Sequence, residues 1–154
     1  MQTNIIMELK PHIVCDAESF EAFRSLLQSS NLPHSDLNYK DHLLVGYYDD
    51  KDLVGTGGLE IYDGYALLRS LAVKMGVRGH SVGSFITKDL IHQARQKKLK
   101  GIYLLTETAQ GFFKLKGFKD ISRSYVPESV KSSSEFSTVC PTTAACMFLS
   151  LVEL

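Results

Sequence analysis

Leu71-Ala-Val-Lys-Met-Gly-Val-Arg-Gly-His-Ser-Val-Gly-Ser84 is the stretch on which the fold turns. A β-prone run ends at Val73, a short loop follows, and a helical pattern begins near Ser81. Amides at the start of a helix lack intrahelical partners, and glycines let a backbone approach a ligand closely. Together they form a cradle for an anion such as a pyrophosphate. The spacing is not GxxxxGK[ST], which argues against a nucleotide triphosphatase. It is also not GxGxxG after a first strand, so a Rossmann domain is disfavoured.

Downstream, Val82, Phe85, Ile86, Leu90 and Ala94 recur at helical steps, which predicts an amphipathic helix from Ser81 to about Lys98. Gly101–Thr106 is short and nearly all apolar, as in a strand covered on both faces. Ala109–Lys116 predicts a short helix stopped by Gly117, Phe118–Ile121 a strand, Pro127-Glu128 a helical turn, and Thr143–Leu151 a final strand. Upstream, His42–Tyr48, Leu53–Ile61 and Tyr65–Val73 read as strands, with Asp63-Gly64 as a tight hairpin turn. Ile5–Leu9 reads as a first strand closed by Pro11, followed by a helix over Phe20, Phe23, Leu26 and Leu27. The order β-α-β-β-β-α-β-α-β-β gives one α+β domain over residues 1–154, with a mixed, mostly antiparallel sheet flanked by helices.

Composition narrows the classes. At 154 residues and 44% hydrophobic, the chain is expected to fold as a single globular unit. Lys+Arg and Asp+Glu both number 17, so bulk electrostatics offers nothing to nucleic acid. No apolar run approaches the roughly 18 residues of a membrane span, and Glu8 and Lys10 interrupt any signal-peptide core. A cytoplasmic protein without membrane or nucleic-acid partners is expected. Cys15, Cys140 and Cys146 form no CxxC pair, and His12, His34, His42 and His92 show no ligand spacing, so no metal is expected.

The quoted loop resembles motif A of the GNAT N-acetyltransferases, with Arg78, Gly79 and Gly83 on its pattern. About 25 residues on, Ala109-Gln-Gly-Phe112-Phe113-Lys-Leu-Lys-Gly117-Phe118 is similar to the family's A-x-x-F-Y-x-x-x-G-F motif. Gly57-Gly-Leu-Glu60, Ala66–Val73, Tyr103–Thr106 and Glu135–Pro141 resemble the arsenic-resistance-associated members, which are linked to amino-acid-like amines such as arsinothricin and phosphinothricin.

The resemblance implies acetyl-CoA as donor and a small primary amine as acceptor. It assigns Arg78, Gly79, His80, Ser81, Val82, Gly83 and Ser84 to the pyrophosphate, and the backbone of Leu71, Ala72 and Val73 to the pantetheine arm. The Leu71 amide becomes a candidate oxyanion donor. Thr106, Ala109 and Phe112 fall on the opposite wall of the cofactor slot. Three positions depart from the pattern. Ser81 replaces a glycine and needs a permissive backbone angle. Phe113 stands where a proton-donating Tyr is common, and Thr106 replaces a frequent Asn. Many members also carry a Glu at the position of Leu67.

If Asp63-Gly64 form the turn, Tyr62 pairs with Tyr65 and Glu60 with Leu67. Glu60 then shares a face with Leu67 and lies diagonal to Arg69. Glu60 is the candidate base, and Arg69 the candidate partner of a substrate anion; the alternative is a cross-strand Glu60–Arg69 surface ion pair. Leu32, Tyr103, Arg123 and Ser137 complete the candidate acceptor contacts. A protein or polyamine acceptor, or a non-catalytic CoA-binding module, are the competing functions. Thr143–Leu151, read as an edge strand, offers pairing in a homodimer.

Overall fold

The computed structural model describes residues 8–77, 79, 81–136 and 143–152. The chain runs β1 (Leu9–Ile13), α1 (Ala17–Ser29), β2 (Leu43–Asp49), β3 (Asp52–Tyr62), β4 (Tyr65–Val73), α2 (Val82–Gln96), β5 (Gly101–Thr106), α3 (Gln110–Leu115) and β6 (Lys119–Asp120). A 3-10 turn at Arg123–Tyr125, α4 (Glu128–Lys131) and β7 (Ala145–Ser150) complete it. Among the described residues these strands form one sheet in the order β1-β2-β3-β4-β5-β7-β6. All neighbours are antiparallel except β4 and β5, which run parallel across the α2 crossover. The mixed α+β fold expected from the sequence is the fold observed.

Strand alternation sorts the side chains onto two faces. Val45, Tyr47, Leu59, Ala66, Leu68, Ile102, Leu104 and Met147 pack with Ile86 and Leu90 of α2. On the other face, Leu67, Tyr103, Leu105 and Cys146 meet Val126 and Val130, while Leu44 and Ala72 meet Phe23 and Leu27 of α1. The helix α2 lies close to the sheet because β3 is glycine-rich beneath it. A Cβ on Gly55 would sit 2.5 Å from Ile86 Cδ1, and one on Gly57 2.7 Å from Leu90 Cδ1.

The β3–β4 hairpin closes as read from its turn. Asp63 and Gly64 have φ of +46° and +87°, the left-handed pair that such two-residue turns require. Tyr62 pairs with Tyr65 and Glu60 with Leu67.

Two expectations need correction. Pro11 does not close the first strand but sits within β1, opposite Tyr47. The strand is at the sheet's edge, where a missing N–H costs no ladder bond; residues 5–7 of the expected strand lie outside the described residues. The last strand is shorter than expected, at Ala145–Ser150, and it is not an edge. It pairs with β5 on one side and with β6 on the other, through Lys119↔Phe148 and Asp120↔Met147. The edge that was to support a homodimer is therefore partly covered.

Candidate active site

The site begins with a defect in β4. Thr56 of β3 pairs with Ala72 and Gly58 with Arg69, so Gly57 alone faces both Ser70 and Leu71. This is a β-bulge, and it bends the strand that carries it. Ser70 adopts the left-handed conformation at φ +62°. Its carbonyl accepts a hydrogen bond from the buried Thr56 hydroxyl at 2.8 Å. A trans peptide holds its N–H opposite its C=O. Fixing the Ser70 carbonyl toward Thr56 therefore turns the Leu71 N–H to the other side of the strand.

Beyond the bulge the sheet opens. Pairing of β4 with β5 runs from Tyr65↔Gly101 to Leu68↔Leu104 and stops there, whereas β5 stays paired with β7 as far as Thr106↔Ala145. The two strands diverge around a cleft. Leu68 to Leu71 line one side, Leu104 to Ala109 with Phe113 the other, and Ser30 to Pro33 and Glu135 close its end. The β4 backbone facing this gap is a sheet edge inside the fold, an arrangement that accepts an extended ligand as an added strand.

The start of α2 lies beside the same opening. Ser81 is its N-cap residue, with φ +64°, and its side chain makes no capping hydrogen bond. The first turn carries no acidic residue. Its donors are thus left for an anion. Ser81 does adopt the left-handed angle that its replacement of glycine required. A Cβ on Gly83 would lie 3.6 Å from Phe112 and 3.8 Å from Val73, which places the helix start beside β4 and α3. Thr106 accepts from the Ala109 amide through Oγ1 at 3.0 Å, fixing the entry of α3.

Leu71, Thr106 and Ala109 line the cleft, as does Leu32 at its end. Arg78, His80 and Ser137 lie outside the described residues. Tyr103 does not line the cleft. It pairs with Leu67 and Phe148 below the point of divergence and is 5% exposed, in the apolar cluster with Leu67 and Cys146. Burial pushes its phenol upward, so it is a core aromatic in this structure. Arg123 is directed elsewhere: Nη2 donates to the Ala144 carbonyl at 2.9 Å, and the guanidinium stacks 5.8 Å from Phe136. Phe113 is buried among Phe112 and Phe118.

Glu60 and Arg69 meet as the hairpin register implied, but not at the surface. Arg69 Nη1 donates to Glu60 Oε2 at 2.8 Å, and the side chains are 1% and 2% exposed. Glu60 Oε1 accepts from the hydroxyls of Tyr62 and, at 2.8 Å, Ser133. Three donors from the protein reach this carboxylate, His42 Nε2 stands 3.9 Å from its Oε1, and Glu60 does not line the cleft, so it does not face an acceptor amine there directly. Arg69 also donates through Nη1 and Nη2 to Asp36, the second bond at 2.8 Å. Its Nε lies 2.9 Å from Glu135 Oε2. Burial favours the neutral form of Asp36, but hydrogen bonds from Arg69 and Ser134 outweigh it and hold the carboxyl down to about 2. The Tyr62 phenol is pushed up to about 12 by burial and by its bond to Glu60.

Asp36 and Glu135 were not anticipated as part of this site. The available signal was Arg69 itself: a guanidinium in an apolar strand demands buried partners. Sequence supplies only the partner in the hairpin, because Asp36 is 33 positions away and reaches Arg69 through tertiary packing.

A sequence profile described as the acetyltransferase (GNAT) family matches residues 8–118. Solved structures share the fold at low identity. N-acetylglutamate synthase from Neisseria gonorrhoeae, complexed with coenzyme A and L-arginine, aligns with TM-score 0.77 and 14% identity over 94% of this chain and 34% of its own. A Mycobacterium tuberculosis protein solved with CoA gives 0.73 and 20%, covering 92% of this chain and 99% of that one. The ribosomal-protein-S18-alanine N-acetyltransferase of Escherichia coli gives 0.68 and 14%, covering 96% of each chain. With the profile spanning most of its length, this chain belongs to the acetyltransferase (GNAT) family.

Proposed function

We propose that this protein is an acetyl-CoA-dependent N-acetyltransferase acting on the primary amine of a small, amino-acid-like substrate. The observation that carries the reading is the bulge at Ser70–Leu71. It opens β4 from β5 and, through the Thr56 hydroxyl, turns one backbone N–H toward the gap. In this reading the pantetheine arm pairs with β4 at Leu71, Ala72 and Val73. The amides from Ser81 to Ser84 hold the pyrophosphate, with Gly79, Arg78 and His80 in the loop before them. Thr106, Ala109 and Phe112 form the far wall.

The chemistry is direct transfer. The neutral amine attacks the thioester carbonyl, a C–N bond forms, and the C–S bond breaks. Negative charge develops on the carbonyl oxygen, where the Leu71 N–H stabilises it, a kind of contact worth roughly 3 kcal/mol where measured elsewhere. The departing CoA thiolate is a good leaving group, so the buried, non-donating Phe113 does not block the reaction. The ammonium proton passes to the thiolate or to water. Glu60 keeps a structural part, because all of its partners belong to the protein.

Differential scanning with millimolar acetyl-CoA tests donor binding. At about a hundred times Kd the gain is about 2.7 kcal/mol, a clear rise in Tm. Thiol release across amino acids and simple amines, with arsinothricin and phosphinothricin in the panel, then tests transfer. Stabilisation without any amine-dependent thiol release would leave only a CoA-binding module.

A further inference from the structure

One charged group on the cleft wall has no part in that chemistry. Arg69 lines the cleft yet is only 3% exposed. Its guanidinium joins three separate parts of the chain: Asp36 between α1 and β2, Glu60 on β3, and Glu135 after α4. Serines extend the joint, with Ser133 donating to Glu60 at 2.8 Å and Ser134 to Asp36 at 2.5 Å. The closed end of the cleft hangs from this network: Leu32 and Pro33, just before Asp36, line it together with Glu135.

A residue that clamps a substrate carboxylate must offer free N–H groups and a surplus of positive charge. Arg69 spends four of its five N–H groups on the protein, and each of its three nitrogens faces a protein carboxylate, three in all against one guanidinium. An incoming carboxylate could engage the guanidinium fork in two-pronged fashion only by displacing one of them from a desolvated setting, where breaking a paired charge is costly.

We propose that Arg69 is a positioning residue: it ties the 32–36 segment and residues 133–135 into the acceptor wall and does not itself bind an acceptor anion. The inference rests on the acetyl-transfer reading and assigns Arg69 its part within it.

Matched acceptors separate positioning from clamping. Each amino acid that is turned over is assayed beside its decarboxylated amine, with acetyl-CoA affinity measured in parallel. Arg69→Lys keeps the charge but loses the fork that reaches three partners. It is expected to raise KM for both members of a pair alike, by about tenfold, as a shifted wall does. Acetyl-CoA affinity stays unchanged. Ser134→Ala, which removes the bond to Asp36 and leaves Arg69 in place, shifts both members in the same direction by less, and it decides the matter if the lysine variant does not fold. A loss confined to the carboxylate-bearing member overturns the proposal, as does a Ser134→Ala variant with wild-type KM. Failure of the wild-type protein to bind acetyl-CoA or acetylate any amine overturns the acetyl-transfer reading itself. Normal binding and turnover with a carboxylate-selective loss overturns only the role of Arg69.

Discussion

The two ends of the cleft treat polar groups in opposite ways. At the β4–α2 end the backbone is open among the described residues: Ser81 makes no side-chain cap bond at the start of α2, and β4 loses its parallel neighbour after Leu68. At the other end, the charged groups are joined to one another. Arg69, Asp36, Glu60 and Glu135 lock together with Tyr62, Ser133 and Ser134 around them. Buried polar groups are normally satisfied. An open set on rigid elements therefore marks where a ligand supplies the missing partner, and a closed set marks scaffold. By this criterion the cofactor sits at the first end, and the residues at the second shape the wall.

The contrast can be broken most sharply at the closed end. Arg69→Met leaves three buried carboxylates facing one another without their counter-charge. Removing one partner of a buried ion pair costs about 3–5 kcal/mol, so urea unfolding should show a loss of that size. A change below about 1 kcal/mol, typical of exposed pairs, would mean that the network is open to water. Next in size is Thr56→Val, which removes the hydroxyl that fixes the Ser70 carbonyl. The Leu71 N–H loses its aim, and kcat should fall about tenfold to a hundredfold while acetyl-CoA affinity holds. Equal losses in both would indicate a collapsed strand instead.

Smaller effects refine the picture. Ser81 holds φ +64° with a side chain, which glycine would do without strain. Ser81→Gly should raise stability by up to about 1 kcal/mol, read as a higher Tm with acetyl-CoA binding retained. Asp36 titrates well below its ordinary value. Its contribution to stability is therefore complete above about pH 4 and is lost as pH falls toward about 2. Asp36→Asn should flatten the acid limb of the stability curve in that window. An unchanged limb would show that Asp36 is not held by Arg69.

Much of this was legible from local signals. Asp63-Gly64 fixed the hairpin register, and that register brought Glu60 beside Arg69. Strand–loop–helix order placed the anion cradle at the start of α2. What escaped was set by long-range packing. No local pattern marks Ser70 as the residue of a bulge, because serine carries no preference for a left-handed angle. Burial changed the meaning of Glu60–Arg69 from an exposed pair to the centre of a network, and burial depends on α1, α4 and residues 133–135 closing over the strands. Pro11 misled because its effect depends on whether its strand is an edge, which only the sheet order reveals. The final strand misled for the same reason: β6 covers part of it, and a two-residue strand leaves almost no trace in sequence.

The central claim is that the start of α2 and the open side of β4 hold acetyl-CoA. Calorimetric titration of acetyl-CoA into wild-type protein and a Gly83→Asp variant tests it most directly. A Cβ at Gly83 meets only ordinary contacts, 3.6 Å to Phe112 and 3.8 Å to Val73. An acidic residue in a helix's first turn also stabilises the helix, so the fold should survive while the phosphates are repelled. The account predicts saturable one-site binding by the wild type and at least about tenfold weaker binding by the variant. No binding by the wild type, or equal affinity in both proteins, would contradict it.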